Sequence, residues 1–302
     1  MTMPNFFLIG AQKAGTTSLY SYLKQHPQVY MSPIKEPFFF DHEINSRGEV
    51  VREKFGGPGP PHIKFADIGE YRTLFRGVSG EKAIGEASVV YIYAPGAAER
   101  IKRYVPEAKL IALLRNPADR AYSAFLHAVR IGREPLTDFA QALREEEDRI
   151  RDNWHYVFHY RNRGLYQAQL ERYYEVFGRE KVGVWLYEDL SNDPVSVVQS
   201  ALRFLGVNDT FTPDISTKHN PSRVPKSDFA RYTIRFMNTT LPAVSKILPP
   251  ASDRFRQLVN SRILAESPPI DPEIRKELIE GYREDNLKLQ EFIGRDLSLW
   301  LR

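Results

Sequence analysis

Apolar residues in this chain fall into short dense runs separated by longer stretches with helical spacing. Phe6-Phe7-Leu8-Ile9 is a continuous apolar run of the length expected for a buried strand, and residues 29–31, 109–114 and 182–187 repeat the pattern. Elsewhere apolar positions recur every three to four residues. This predicts helices over 16–25, 97–104, 117–131, 137–150, 165–177, 194–205 and 271–293. His26-Pro27 closes the first of these, Pro117 suits the opening turn of the third, and Gly206 stops the helix before it. Most of the chain after residue 228 reads as helical. The proline-punctuated stretches 32–37 and 56–61 and the polar stretch 208–228 read as loops. Strands alternating with helices predict an α/β fold: a central parallel sheet with helices on both faces.

Composition narrows the picture. No linker divides two composition classes, so residues 1–302 read as one domain. With no cysteine, the chain has no disulfide, no thiolate zinc site and no cysteine nucleophile, which fits a reducing cytoplasm. No apolar run approaches the length of a membrane span, and no basic stretch with a long apolar core opens the chain, so neither an anchor nor a signal peptide is expected. The net charge of +4 suits an anionic ligand but is too small to point to nucleic acid. The acidic run Glu145-Glu146-Glu147-Asp148 reads as a solvated helix face.

The segment with the most chemistry is Gly10-Ala11-Gln12-Lys13-Ala14-Gly15-Thr16-Thr17, which a strand enters and a helix leaves. That geometry points backbone N–H groups and a helix N-terminus at one spot, as a phosphate or sulfate requires. Gly10 and Gly15 permit close approach, Lys13 adds a mobile cation, and Thr16 and Thr17 add hydroxyls. Gln12, Ala14 and Ser18 complete the candidate cradle. A nucleotide P-loop would carry lysine directly after the second glycine. Here that position is Thr16, which weakens a kinase or NTPase reading. A second anion site is suggested by Arg115, just past a buried strand, and Ser123, eight residues on and about two turns into the next helix.

These segments, with Lys35-Glu36-Pro37-Phe38-Phe39 and the tail Gly294-Arg295-Asp296-Leu297-Ser298-Leu299-Trp300, resemble the PAPS-dependent sulfotransferases (PAPS, 3′-phosphoadenosine-5′-phosphosulfate). The likeness is strongest to their heparan-sulfate sulfotransferase-like branch and its bacterial relatives. The resemblance implies a P-loop-like three-layer fold and metal-independent transfer of a sulfuryl group from PAPS to a hydroxyl or amine. It implies that residues 10–18 hold the 5′-phosphosulfate and that Arg115 and Ser123 hold the 3′-phosphate. Glu36 is then the general base, and Lys13, assisted by Lys35, stabilises the leaving phosphate. Apolar walls from the neighbouring phenylalanines are expected to raise the pKa of Glu36, with Lys35 opposing them.

Other matches leave alternatives open. Tyr166 either lies against the adenosine or packs in the core. Lys218, Ser222 and Arg223 are candidate phosphate contacts on a loop over the cofactor, or part of a solvated loop. His127, one turn beyond Ser123, either faces the acceptor or packs in its helix. Glu86, in a Gly85-Glu86-Ala87-Ser88 turn, is a second acid or a structural partner, and Arg120 reads as a helix-surface residue. The aromatic and basic stretch 154–161 is either an acceptor surface or core. A glycan, glycolipid or small metabolite would serve as acceptor. A small-molecule kinase with an altered P-loop and a non-catalytic nucleotide- or glycan-binding protein are the competing readings.

Overall fold

The computed structural model describes residues 2–51, 56–57, 64–216, 223–225 and 264–302. Five strands form one parallel sheet in the order β2-β3-β1-β4-β5. They are β1 Phe6–Gly10, β2 Val29–Met31, β3 Ala83–Ala87, β4 Lys109–Leu114 and β5 Val182–Leu186. All five residues of β1 are buried, as are all but the first of β4. Strands covered on both faces need apolar side chains at every position, not alternate ones.

The helices follow from the crossovers. They are α1 Thr16–Leu23, α2 Ile68–Arg72, α3 Ala97–Tyr104, α4 Pro117–Arg130, α5 Phe139–Arg144, α6 Glu146–Arg151, α7 Tyr166–Phe177, α8 Tyr187–Asn192, α9 Pro194–Leu205 and α10 Pro272–Ile293. The path from β1 to β2 runs one way across the sheet, and the paths β3 to β4 and β4 to β5 run the other way. Right-handed crossovers therefore put α1 on one face and α3 and α7 on the opposite face. The packing agrees: α1 lies against α9, whereas α7 lies against α3 and α10. Every loop leaving a strand's carboxyl end emerges on one edge of the sheet, where open α/β sheets bind ligands.

Most sequence-derived elements stand within a residue or two of their expected ends. Four differ. Residues 83–87, read in part as a turn, form β3. The helix expected over 137–150 is two, because Asp138 caps the first through Gln141 and the chain restarts at Glu145. Residues 223–225, read as loop, pair antiparallel with residues 264–266, read as helix, making the two short strands β6 Arg223–Pro225 and β7 Leu264–Glu266. Arg120 is not on the surface: it is 1% exposed, and its guanidinium donates to the Tyr160 carbonyl.

Candidate active site

The glycine loop begins where β1 ends. The Ala11 amide donates to the Leu113 carbonyl at 2.7 Å, tying the loop to the end of β4. A Cβ on Gly10 would stand 2.4 Å from Ile92 Cγ2, so this close approach requires glycine. Lys13 at φ 68° and Gly15 at φ 87° both take left-handed backbone, a curl that turns successive amides inward. Gly15 caps α1 with no side-chain hydrogen bond, and the first turn holds no acid. The N-terminal partial charge of α1 is thus not offset by its own residues. Ala14 and Thr16 are buried, and Thr17 and Ser18 are half-buried. The Ser18 amide is spent on the Gly15 carbonyl at 3.0 Å. Gln12 Oε1 accepts from Arg163 at 2.9 Å, which fixes the loop from the side.

β4 supplies the second element. Arg115 leaves its end half-buried, donates to the Lys13 carbonyl at 3.1 Å and lies 4.7 Å from the Tyr187 ring centre. The Tyr166 hydroxyl donates to the Arg115 carbonyl at 3.0 Å, and Tyr166 is fully buried. Tyr166 therefore offers no open face to a base; it braces the backbone of Arg115. Asn116 caps α4 by accepting from the Ala118 and Asp119 amides. On α4, Ser123 and His127 are half-buried, and the same three-to-four spacing carries on to Arg130. Arg130 donates to His127 Nδ1 at 2.9 Å. This leaves the imidazole proton on Nε2, making that edge a donor. Burial, then Lys13, Arg130 and Arg133, lower the His127 pKa to about 3, so the ring is neutral.

Lys13 collects these charges. Burial first, then Arg130, Arg115 and Lys35, lower its pKa to about 8. Burial also lowers the pKa values of Arg130 and Arg133. A lysine crowded by three cations is favourable only where an anion is to be received.

The third element leaves β2. The Glu36 carboxylate meets Lys35 Nζ at 3.3 Å and accepts from the Val89 amide at 3.0 Å, just beyond β3. Lys64 donates to the Glu36 carbonyl. Phe39 and Phe40 do not wall the carboxylate as expected: they pack with Tyr71 and Phe7 in the core. A charged, hydrogen-bonded setting replaces the apolar one.

The fold thus brings Lys35, Arg115 and His127 each within electrostatic reach of Lys13, with Glu36 bonded to Lys35. Lys218 and Ser222, and the side chain of Arg223, lie outside the described residues. The stretch 154–161 is mostly core: Val157, Phe158, His159 and Tyr160 are buried and His155 is 5% exposed. Sequence reasoning missed Arg130, Arg133 and the contact of Arg163 with Gln12. Arg130 was available from the α4 spacing; Arg163 was not, because only the tertiary fold brings it to residue 12.

Comparison with known proteins follows the same lines. The family model described as "Sulfotransferase family" matches residues 4–212. A sulfotransferase from Alicyclobacillus acidocaldarius, known from its crystal structure, is 38% identical over the whole of both chains, with a TM-score of 0.75. The mouse bifunctional heparan sulfate N-deacetylase/N-sulfotransferase 4 is 27% identical across 99% of this chain and 31% of its own length. Mouse carbohydrate sulfotransferase 15 is 25% identical across 87% of this chain and 54% of its own. The chain therefore spans from just under a third to about half the length of these curated relatives.

Proposed function

This chain belongs to the sulfotransferase family, and on that premise we propose that it moves a sulfuryl group from PAPS to a hydroxyl or amine by in-line displacement, with Glu36 as general base and Lys13 at the leaving phosphate. Bound here, PAPS would supply the sulfuryl group and leave as adenosine 3′,5′-bisphosphate. The observation that carries the reading is the charge pattern at the sheet edge: an uncapped helix start and a lysine crowded by Arg130, Arg115 and Lys35. Glycines at positions 10 and 15 let the loop pack directly against Ile92 and Tyr187, where a Cβ would collide.

Each residue has a task in this reading. The loop amides, Thr16 and Thr17 hold the 5′-phosphate, and Lys13 offsets negative charge as the bridging bond breaks. Arg115 and Ser123 hold the 3′-phosphate, with Lys218, Ser222 and Arg223 as further candidates. Glu36 takes the acceptor proton; the Val89 amide and Lys35 orient its carboxylate. His127, as a neutral donor, supports an oxygen rather than removing a proton. The cationic side chains supply the positive charge that Mg²⁺ supplies in phosphoryl transfer, so a chelator is expected to leave turnover unchanged. The acceptor is a glycan, glycolipid or small metabolite.

Two measurements test this. Adenosine 3′,5′-bisphosphate should raise the melting temperature well beyond ATP, with or without Mg²⁺; a preference for ATP overturns the reading. With labelled PAPS and a panel of amino-sugar oligosaccharides and phenols, Glu36→Gln should lower turnover by about 10²–10⁴-fold at similar bisphosphate affinity. Wild-type turnover in that variant removes Glu36 from its role.

A further inference from the structure

Glu86 is wholly buried in β3, yet nothing in the proposed reaction uses it. Burial of a carboxylate requires partners, and those of Glu86 are all hydroxyls. Ser88 donates to it at 2.9 Å and Tyr71 at 3.3 Å, and Tyr91 is bonded to it as well. Two of these hydroxyls face a second way. Ser88 Oγ accepts from the Phe38 amide at 3.1 Å, and the Tyr91 hydroxyl accepts from the amides of Phe39 and Phe40 at 3.0 and 3.2 Å. Ser88, Tyr71 and Tyr91 are themselves fully buried, so no water competes for these bonds.

The three amides belong to the segment that carries Glu36. Phe38 has φ 55°, a left-handed conformation that a bulky residue keeps only when its surroundings hold it there. The chain after residue 88 completes the frame, since the Val89 amide bonds the Glu36 carboxylate directly. We propose that Glu86 is the positioning residue of this site: through the hydroxyls of Ser88 and Tyr91 it fixes the backbone of residues 38–40, and so fixes where the Glu36 carboxylate stands. This rests on the reading of Glu36 as base. The glycine loop and Arg115 follow β1 and β4 instead, and the side-chain bonds of Ser88 and Tyr91 run to Glu86 and residues 38–40, not to that loop.

The proposal is tested in the full chain with Glu86→Gln, Ser88→Ala and Glu36→Gln, alone and combined. The readouts are turnover of labelled PAPS with the best acceptor of the panel, or its hydrolysis if none is active, and affinity for adenosine 3′,5′-bisphosphate. Misplacing a reacting group costs up to about 10²-fold, so Glu86→Gln and Ser88→Ala should each lower turnover about 10- to 100-fold with bisphosphate affinity unchanged. In a Glu36→Gln background neither should lower it further, because the group they position is already gone. A merely structural role predicts losses that multiply in that background, or that fall equally on affinity, and either result overturns the proposal. So does wild-type turnover in Glu86→Gln and Ser88→Ala while Glu36→Gln is impaired. If Glu36→Gln itself keeps wild-type turnover, the reading of the base fails and this inference falls with it. Should Glu86→Gln not fold, Ser88→Ala, which leaves the Glu86 side chain in place and removes the hydroxyl that links it to the Phe38 amide, decides alone.

Discussion

A histidine close to Lys13, in a site that also holds a candidate base, invites the view that it shares in proton transfer, and the geometry around His127 argues otherwise. Its Nδ1 accepts from Arg130, and burial, with the surrounding cations, holds its pKa to about 3. A group that neutral across the working range contributes no titration between about pH 5 and about pH 8. What it offers is the Nε2 proton as a fixed hydrogen bond. His127→Gln, which keeps an N–H donor, should therefore retain more turnover than His127→Ala, for which a loss of about 10-fold is expected from one missing donor. In both variants the pH–rate profile should keep the wild-type shape. Loss of a limb between about pH 6 and pH 7 in His127→Gln would instead identify the imidazole as a titrating acid or base.

Elements were legible in the sequence where one physical cue dominated. β1, β4 and β5 announce themselves as unbroken apolar runs, and α4 and α9 as proline-started amphipathic stretches. The cradle was legible because glycines, a lysine and threonines together have few other uses. β3 was not legible because all its residues but Ile84 are small or polar: Gly85 is needed where a Cβ would come within 2.1 Å of the Phe6 ring, and Glu86 is held in part by Tyr71 from another element. Such a strand is chosen by its neighbours and carries little propensity of its own. The turn into α1 is the opposite case, since its requirement is local. Gly15 has φ 87°, and a Cβ there would lie 2.9 Å from the Tyr187 ring. Gly15→Ala should thus destabilise the protein by about 1–2 kcal/mol, measured by denaturant unfolding, and should weaken bisphosphate binding. Unchanged values for both would show that the curl of the loop is not needed.

Across the whole molecule the net charge is only +4, so what matters is where the cations are placed. Arg130, Arg115 and Lys35 all act on Lys13 at the carboxyl edge of the sheet, and burial with these cations lowers its pKa from 10.5 to about 8. A lysine that holds its proton less well folded than unfolded works against folding. The penalty is full below about pH 8 and is relieved as pH rises towards 10.5, because in that window the unfolded chain binds more protons. At neutral pH it is on the order of 3 kcal/mol. An arriving dianion reverses the sign, since it favours the protonated lysine. Lys13→Met retains the stem and removes the charge. Without ligand, the variant should melt several degrees higher than wild type at about pH 7, and the gap should close as pH approaches 10. With saturating adenosine 3′,5′-bisphosphate the order should invert, because the wild type gains the larger ligand-induced shift. Differential scanning calorimetry of both proteins, with and without the bisphosphate, reads all four values. A ligand-free Lys13→Met protein less stable than wild type would mean that Lys13 serves the fold and not the anion.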